Sequence, residues 1–290
     1  MLKTVFIGLG RMGSGMARRI LDSGLPLEIY NRDPAKSAPF GEAGAKVHRT
    51  LEEAMAGAGI VFTMLSDDQA LRAVVNPATM ALAAPGATHV SMSTAGVAAV
   101  LDAAQLARET GRRHLSSPVF GRPPAAASGT LKLCVSGDPT AREAVSGYLA
   151  SLGEIWDFGE DPAAAAAVKI AGNFMIASLI ETLSEAFSLA ENHGVSPEAF
   201  FRMMSGTLFA APAVKTYGEL ILKGAFDEAG FSMALGAKDA GLVREAARLT
   251  HTPMAFASIL EDRFLRAMAR GWDAKDWCAI SALQREDAWS

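Results

Sequence analysis

Lys169 and Asn173 are two polar side chains in a mostly apolar segment that begins at Asp161 and ends at Gly194. Residues four apart lie on the same face of a helix, so these two side chains point in the same direction. A lysine in apolar surroundings is disfavoured unless it is paired or has a function. Desolvation lowers the pKa of a lysine towards the range useful for proton transfer. The alternative is a lysine whose ammonium reaches the surface along its own stem. The local sequence leaves both interpretations open.

Three glycines near the N-terminus have the spacing of a dinucleotide-binding turn. Gly8, Gly10 and Gly13 lie in the segment GLGRMG, which follows the apolar run at residues 4–7 and opens a helical pattern. The first glycine permits a tight turn, the second lets a pyrophosphate approach the backbone, and the third lets the helix pack closely on the strand. Because the glycines stand between a strand and a helix, we predict a dinucleotide site there.

The end of the second predicted strand, at residues 27–30, bears on the choice of cofactor. An acidic residue at this point is typical of NAD enzymes, whereas arginine is typical of NADP enzymes. Asn31 is neutral, Arg32 can bind a phosphate through two parallel hydrogen bonds, and Lys36 adds positive charge. Asp33 precedes a proline and is more typical of a turn or helix cap. We predict NADPH as the preferred cofactor, with NADH possible. The alternative is that Arg32 is a solvated loop residue.

Composition excludes several classes of protein. A chain of 290 residues favours two domains, and 50% hydrophobic with 20% charged residues is typical of a globular protein. The 27 Lys and Arg against 31 Asp and Glu argue against a nucleic-acid partner bound by bulk charge. Cys134 and Cys278 form no disulfide framework, and the histidines have no metal-ligand spacing. With no signal-peptide pattern at the N-terminus, we predict a cytoplasmic protein without a metal.

The first half of the chain alternates strands and helices, which is typical of a doubly wound parallel sheet. We predict a helix after the glycines and two strands around a Pro- and Ala-rich turn within residues 116–137. Ligands bind such sheets at strand ends near a switch point, so Met64, Leu65 and Thr94 are candidates for the nicotinamide side, although each could be a core residue or a cap. The other predicted strands are 4–7, 27–30, 60–65, 89–92 and 154–158, and predicted helices include 97–110 and 139–152.

A single long helix is predicted over about residues 162–192. Asp161 and Pro162 are typical of a helix start, and Asn192 and Gly194 of a helix end. Its first half, with one charge, is expected to be buried nearly all round. A membrane span is the rival interpretation, but the weakly apolar alanines and the interrupting polar residues favour a buried helix of a soluble protein.

The segment after Gly194 shows no strand pattern and predicts helices only. Its helix breaks fall at Gly206, Pro212, Gly224, Gly230, Pro253 and Gly271. The predicted fold class is therefore α/β, with an N-terminal Rossmann doubly wound sheet joined by the long helix to an all-α domain. The predicted boundaries are 1–161 for the NADP-binding domain and 162–290 for the domain that binds substrate and dimerises.

Motifs along essentially the whole chain resemble those of the β-hydroxyacid dehydrogenases. This family includes 3-hydroxyisobutyrate dehydrogenase, tartronate semialdehyde reductase and the glyoxylate/succinic semialdehyde reductases. The resemblance implies a C-terminal domain like that of 6-phosphogluconate dehydrogenase, a homodimer, and NAD(P)H-dependent interconversion of a small β-hydroxyacid and its semialdehyde. The motifs are GLGRMGSGMA, STAG from Ser93, PVFG from Pro118, SGTL from Ser128, VKIAGN from Val168, and Lys238-Asp239.

The same resemblance implies roles for individual residues. Lys169 matches the catalytic lysine, which acts as general acid and base, and Asn173 matches its catalytic partner. The implied substrate-binding residues are Ser93, Phe120, Gly121 and Arg122. The implied cofactor-binding residues are Gly8, Leu9, Gly10, Arg11, Met12, Gly13, Asn31, Arg32, Met64, Leu65, Thr94 and Lys238.

One motif departs from the family pattern. Where the family usually has Ser-Gly-Gly after Pro-Val, this chain has Phe120-Gly121-Arg122. Phe120 removes a hydroxyl group, and Arg122 either holds a substrate carboxylate in its place or points to solvent. Two other functions stay open, an imine reductase and a non-catalytic dinucleotide-binding module. Lys169 argues against the imine reductase, which Phe120 weakly favours, and the pair of Lys169 and Asn173 argues against the non-catalytic module.

Overall fold

A computed structural model describes residues 2–289, except for the side chains of residues 288 and 289. The chain divides into two compact units, residues 1–169 and residues 170–290. The boundary between these units lies inside the long helix, whereas the sequence placed it just before that helix. The first unit is α/β and the second is helical, as predicted.

The first unit is built on an eight-stranded sheet. The strand order is β2-β1-β3-β4-β5-β7-β6, with β8 paired to β7. Strands β1 to β5 are parallel, and β7 runs antiparallel to β5 and β6. β2 lies on one side of β1 and β3 on the other, so the strand order reverses at β1. Such sheets bind ligands at this switch point. The strands are β1 (Thr4–Ile7), β2 (Glu28–Tyr30), β3 (Ile60–Thr63), β4 (Thr88–Ser91), β5 (Arg113–Ser116), β6 (Val119–Phe120), β7 (Leu131–Gly137) and β8 (Gly153–Asp157).

Apolar clusters cover both faces of the parallel strands. Phe6 and Phe62 belong to one buried cluster, and their strand neighbours Val5 and Val61 belong to another. Side chains alternate between the faces of a strand, so continuous apolar runs are required here. The helices of this unit are α1 (Arg11–Asp22), α2 (Pro34–Glu42), α3 (Leu51–Met55), α4 (Asp68–Val74), α5 (Pro77–Leu82), α6 (Val97–Glu109), α7 (Pro123–Ser128) and α8 (Pro139–Leu152).

Helix α7 replaces the Pro- and Ala-rich turn predicted between two strands, so that prediction is wrong. Pro123 and Pro124 occupy the first turn of α7, where proline loses no hydrogen bond. Gly129 ends the helix in the left-handed conformation, with φ of 71°. A short helix therefore separates β6 from β7.

Two histidines are buried side by side in the sheet. His89 of β4 and His114 of β5 are partners in register, and their Nδ1 atoms lie 3.0 Å apart. The Nε2 atom of His89 lies 3.0 Å from Oγ1 of Thr63 on β3. Burial lowers the pKa of both imidazoles, that of His114 to about 4. Both rings are therefore neutral at neutral pH.

The long helix α9 spans Pro162–Asn192, which confirms the predicted start and end. The carboxylate of Asp161 accepts a hydrogen bond of 2.9 Å from the backbone of Ala163. Ser136 of β7 fixes the first turn twice, because its hydroxyl accepts from Ala165 N–H at 3.0 Å and donates to the Pro162 carbonyl at 3.2 Å. The start of α9 is thus anchored to β7.

The expected burial of the first half of α9 is wrong along one stripe. Ala167, Ala171 and Met175, each four residues apart, are exposed, and Met175 is 69% exposed. By length and composition α9 could cross a bilayer, because an 18-residue window within it has a mean hydropathy of 1.7. Core helices of soluble proteins also pass this test.

The second unit is helical, and its helices end near the predicted breaks. Their common core contains Trp277. The Trp277 ring contacts those of Tyr217, Phe231 and Phe264. The helices are α10 (Pro197–Gly206), α11 (Pro212–Lys223), α12 (Met233–Leu249), α13 (Ala255–Ala269) and α14 (Ile280–Trp289), with a 3₁₀ turn at Trp277–Ala279.

A buried ionic network joins three helices of the second unit. Arg263 of α13 pairs with Glu181 of α9 at 2.7 Å and with Asp287 of α14 at 3.0 Å. It also donates to Gln284 at 3.0 Å. Burial raises the pKa of Glu181, and the positive charge of Arg263 opposes that shift. Removing the guanidinium would leave Glu181 buried without its partner charge, which is strongly destabilising.

Candidate active site

The glycine turn after β1 has the close backbone contacts that the sequence predicted. A Cβ atom on Gly13 would lie 2.0 Å from the Gly8 carbonyl oxygen, and one on Gly8 would lie 2.3 Å from that of Met64. Gly8 also has φ of 100°, which favours glycine. A Cβ on Gly10 would meet no described atom within 4 Å. Helix α1 starts here without an acidic residue in its first turn, so the positive end of its dipole suits a phosphate.

Asn31, Arg32 and Asp33, the three residues after β2, have different roles. Asn31 accepts a hydrogen bond from Leu9 N–H at 2.8 Å and donates to the Asp33 carbonyl at 2.8 Å. Asp33 caps α2 by accepting from Ala35 N–H at 3.1 Å, which confirms it as a cap. Arg32 is exposed between these two structural residues. Asn31 thereby fixes the end of β2 against the glycine turn, and Arg32 faces solvent beside it.

The ends of β3 and β4 are tied to the same edge of the sheet. Leu65 N–H donates to the hydroxyl of Ser93 at 2.8 Å, and Met64 N–H donates to the Ile7 carbonyl at 2.9 Å. Ser93 is 3% exposed, whereas Thr94 is half-buried. The structure thus brings the predicted cofactor residues of the first unit together, and Ser93 supports the loop that carries them.

Lys169 lies on α9 against the face of β7 that carries Cys134. Its side chain is nearly buried, at 8% exposed, and Nζ lies 4.1 Å from the centroid of the Phe120 ring. Burial raises the pKa of the Cys134 thiol, and the positive charge of Lys169 partly opposes this shift. Cys134 was not among the predicted site residues, because only the packing of α9 on β7 brings it towards the lysine. The first unit therefore places an aromatic ring and a neutral thiol near this ammonium.

Gly121 and Arg122 lead from Phe120 into α7. Gly121 has φ of 143°, and a Cβ there would lie 2.6 Å from a methyl of Leu131. Arg122 is the N-terminal cap residue of α7, its carbonyl accepts from Ala125 N–H at 2.9 Å, and its side chain is half-buried. Glycine is thus required at the turn that directs Arg122 into α7.

In the second unit, Asn173 is oriented by an aspartate that the sequence prediction left out. Asn173 donates its amide N–H to Oδ2 of Asp239, and both residues are 4% exposed. Lys238, predicted to reach the cofactor, lies with Nζ 3.0 Å from Oδ1 of Asp239. The motif Lys238-Asp239 was the available signal for Asp239. A cavity of about 10 Å³ beside Asn173 and Gly236 has room for one water at most.

This arrangement can support proton transfer to an oxygen atom. Lys169 and Asn173 are one turn apart on α9, and both are buried. A buried ammonium stabilises a developing negative charge far better than it would in water, and it can also give up a proton. Because Asp239 accepts from the Asn173 amide nitrogen, the orientation of that amide is fixed.

The chain matches two family models that together cover nearly all of it. The NAD binding domain of 6-phosphogluconate dehydrogenase matches residues 3–167, and the NAD-binding region of NADP-dependent 3-hydroxyisobutyrate dehydrogenase matches residues 163–283. The uncharacterized oxidoreductase YfjR of Bacillus subtilis is 35% identical, over 96% of this chain and 98% of that protein.

Solved structures show the same architecture. Mycobacterium tuberculosis 3-hydroxyisobutyrate dehydrogenase with L-serine has a TM-score of 0.88 and 27% identity, over 98% of this chain and 99% of that one. An imine reductase from Pseudomonas sp. has a TM-score of 0.63 and 22% identity, over 100% and 99%, a likeness of fold alone. Because the family models match from the glycine turn through the helical unit, the chain belongs to the β-hydroxyacid dehydrogenase family and is an NAD(P)-binding oxidoreductase.

Proposed function

We propose that the protein interconverts a small β-hydroxyacid and its semialdehyde, with Lys169 as general acid and base. The observation that carries this proposal is the nearly buried Lys169 ammonium one helical turn from Asn173. In reduction, Nζ of Lys169 stabilises the charge that develops on the carbonyl oxygen and gives it a proton. In oxidation, the neutral amine accepts the hydroxyl proton. Asn173, oriented by Asp239, positions the substrate or the lysine.

The first unit fits a nicotinamide dinucleotide. The open space at Gly10 and the positive N-terminal end of α1 suit the pyrophosphate. Met64, Leu65 and Thr94, at the ends of β3 and β4, would hold the nicotinamide side. When bound, this cofactor supplies or accepts the hydride. We propose NADPH as the preferred form because Arg32 occupies the position of an acidic ribose ligand.

The Phe120-Gly121-Arg122 turn would select the substrate. The guanidinium of Arg122 can hold a carboxylate through two parallel hydrogen bonds, in place of the serine that this turn lacks. The substrate class that fits is therefore an aldehyde that also carries a carboxylate. The relative with L-serine in its solved structure is a dehydrogenase of a small hydroxyacid, which supports this class.

A panel of carbonyl compounds tests the function. Succinic semialdehyde, its uncharged analogue butanal and a cyclic imine are each assayed with NADPH. Loss of an interaction with a charged partner costs about 1.5–3 kcal/mol, so kcat/KM should be about 10- to 100-fold higher for the acid than for butanal. Equal kcat/KM for these two aldehydes would contradict the carboxylate contact, and turnover of the imine alone would contradict carbonyl reduction.

Replacing Arg32 by Ala should weaken NADPH selectively. Only NADPH carries the 2′-phosphate, so its Kd should rise about 10- to 100-fold while that of NADH stays within about twofold. Fluorescence titration of each cofactor measures both constants. Arg108→Ala, at an exposed position on α6, is the matched control and should change neither. Equal weakening of both cofactors would show that Arg32 does not bind the phosphate.

We also propose a cytoplasmic homodimer formed by the helical unit. Leu208 is 78% exposed, Met203 60% and Phe209 56%, and Ile259 and Leu265 on α13 are half exposed or more. Exposed apolar side chains in this number are typical of surfaces that associate. Sedimentation that shows only monomer at micromolar concentration would contradict the dimer.

A further inference from the structure

The Phe120 ring and the Lys169 ammonium form a contact that a serine at position 120 could not make. Nζ lies 4.1 Å from the ring centroid, well within the roughly 6 Å over which a cation is attracted to an aromatic face. The attraction grows when the cation has lost water, and only 8% of Lys169 is exposed. The ring therefore replaces part of the hydration that the buried ammonium gives up.

Both partners of this contact are held by the same strand. Phe120 pairs in register with Lys132 of β7, and the turn that follows it requires Gly121 in a left-handed conformation. Lys169 follows closely on the well-fixed first turn of α9, which Ser136 of β7 anchors through two hydrogen bonds. Because β7 supports both sides, the distance between ring and ammonium is set by the sheet.

The titratable side chains on this face of β7 are Cys134 and Lys132, and Arg122 follows two residues after Phe120 at the start of α7. The Cys134 thiol faces the lysine and stays neutral, because burial raises its pKa. Lys132, on the same face of β7, is paired with Glu154 of β8. Along α9, the next charged residue after Lys169 is Glu181 in the second unit. The aromatic face is one electrostatic partner of the ammonium, and the sheet supplies it.

We propose that Phe120 is a positioning residue for Lys169. Its ring keeps the ammonium charged to higher pH and covers one side of Nζ, so that a carbonyl oxygen must approach from the side away from the ring. The inference rests on the proposed acid–base role of Lys169 for its kinetic consequences. The contact itself does not depend on that role, and it can be tested without turnover.

The kinetic test compares Phe120→Leu, which removes the aromatic face, with Phe120→Tyr, which keeps it. In Phe120→Leu, kcat of reduction should fall about tenfold, and the alkaline limb of its pH profile should move down by about half to one pH unit. In Phe120→Tyr, kcat should stay within about threefold of the parent, and the alkaline limb should not move. Phe158→Leu makes the same exchange at an exposed position outside the site and is the matched control. Equal loss in the Leu and Tyr variants with unmoved limbs would overturn the proposal.

A second measurement follows the lysine directly in the intact two-unit chain. With ¹³C at the lysine ε-carbons, the Lys169 signal is identified by its absence in Lys169→Met. The signal should be shifted upfield by the ring in the parent and in Phe120→Tyr, and should lose that shift in Phe120→Leu. Its titration midpoint should fall by about half to one unit in the Leu variant. An unshifted parent signal would overturn the contact, whereas a shifted signal in a protein that reduces no carbonyl would refute the proposed function alone.

Discussion

Lys169→Met is expected to lower kcat for carbonyl reduction by about 10²- to 10⁴-fold, the usual contribution of a positioned general acid. Methionine keeps much of the volume of the lysine stem and removes the charge and the proton. The Kd of NADPH should stay within about twofold, because in our proposal the phosphates are held by the glycine turn and Arg32 rather than by Lys169. Single-turnover kinetics and a fluorescence titration measure the two quantities.

The competing interpretation of Lys169 as a structural residue predicts a different pattern. In that case, cofactor binding, the thermal midpoint and turnover would fall together. Lys223→Met is a matched control, since Lys223 is 68% exposed on the second unit, and it should leave turnover unchanged. A folded Lys169→Met protein that binds NADPH and turns over at the parental rate would refute the acid–base role.

Acidification should destabilise the protein through the buried pair of His89 and His114. Each imidazole is held neutral in the folded state, where the pKa of His114 is about 4, against about 6.5 when unfolded. The unfolded chain therefore binds more protons, and stability rises with pH in this range. The contribution of the neutral imidazoles to the free energy of unfolding is complete above pH 6.5 and is lost as pH falls towards 4. For His114 this loss is about 3 kcal/mol.

Urea unfolding between pH 7.5 and 4.5 measures this dependence. His114→Gln should flatten the slope, whatever it does to stability at neutral pH, because the titrating ring is gone. His193→Gln, at an exposed position, should keep the parental slope. An identical slope in the parent and in His114→Gln would show that other groups cause the acid sensitivity.

Features with local signals were predictable from the sequence. The glycine spacing predicted the turn after β1, because the close approach of Gly13 to Gly8 depends on residue type alone. Asp33 before a proline predicted a helix cap, and the cap and breaker residues fixed both ends of α9. Each of these depends on neighbours within a few positions in the chain.

Features that depend on strand pairing or helix packing were not predictable. Cys134 approaches Lys169 because β7 runs under α9, and Phe120 contacts the ammonium because β6 pairs with β7. Asp239 reaches Asn173 from a helix far along the chain. The burial expected for α9 failed because an apolar, alanine-rich pattern does not reveal which side of a helix is covered, and Met175 lies on an open side.

The split of tasks among Asn31, Arg32 and Asp33 has a consequence for protein engineering. The two outer residues bind the backbone of neighbouring segments, so changing either would disturb the turn or the start of α2. Arg32 is exposed, and none of the described hydrogen bonds or ion pairs involves its side chain. If Arg32 selects the cofactor as we propose, the preference between NADP and NAD is set by a residue that can be exchanged without repacking, and a lineage could change its cofactor by one substitution while its fold stays unchanged.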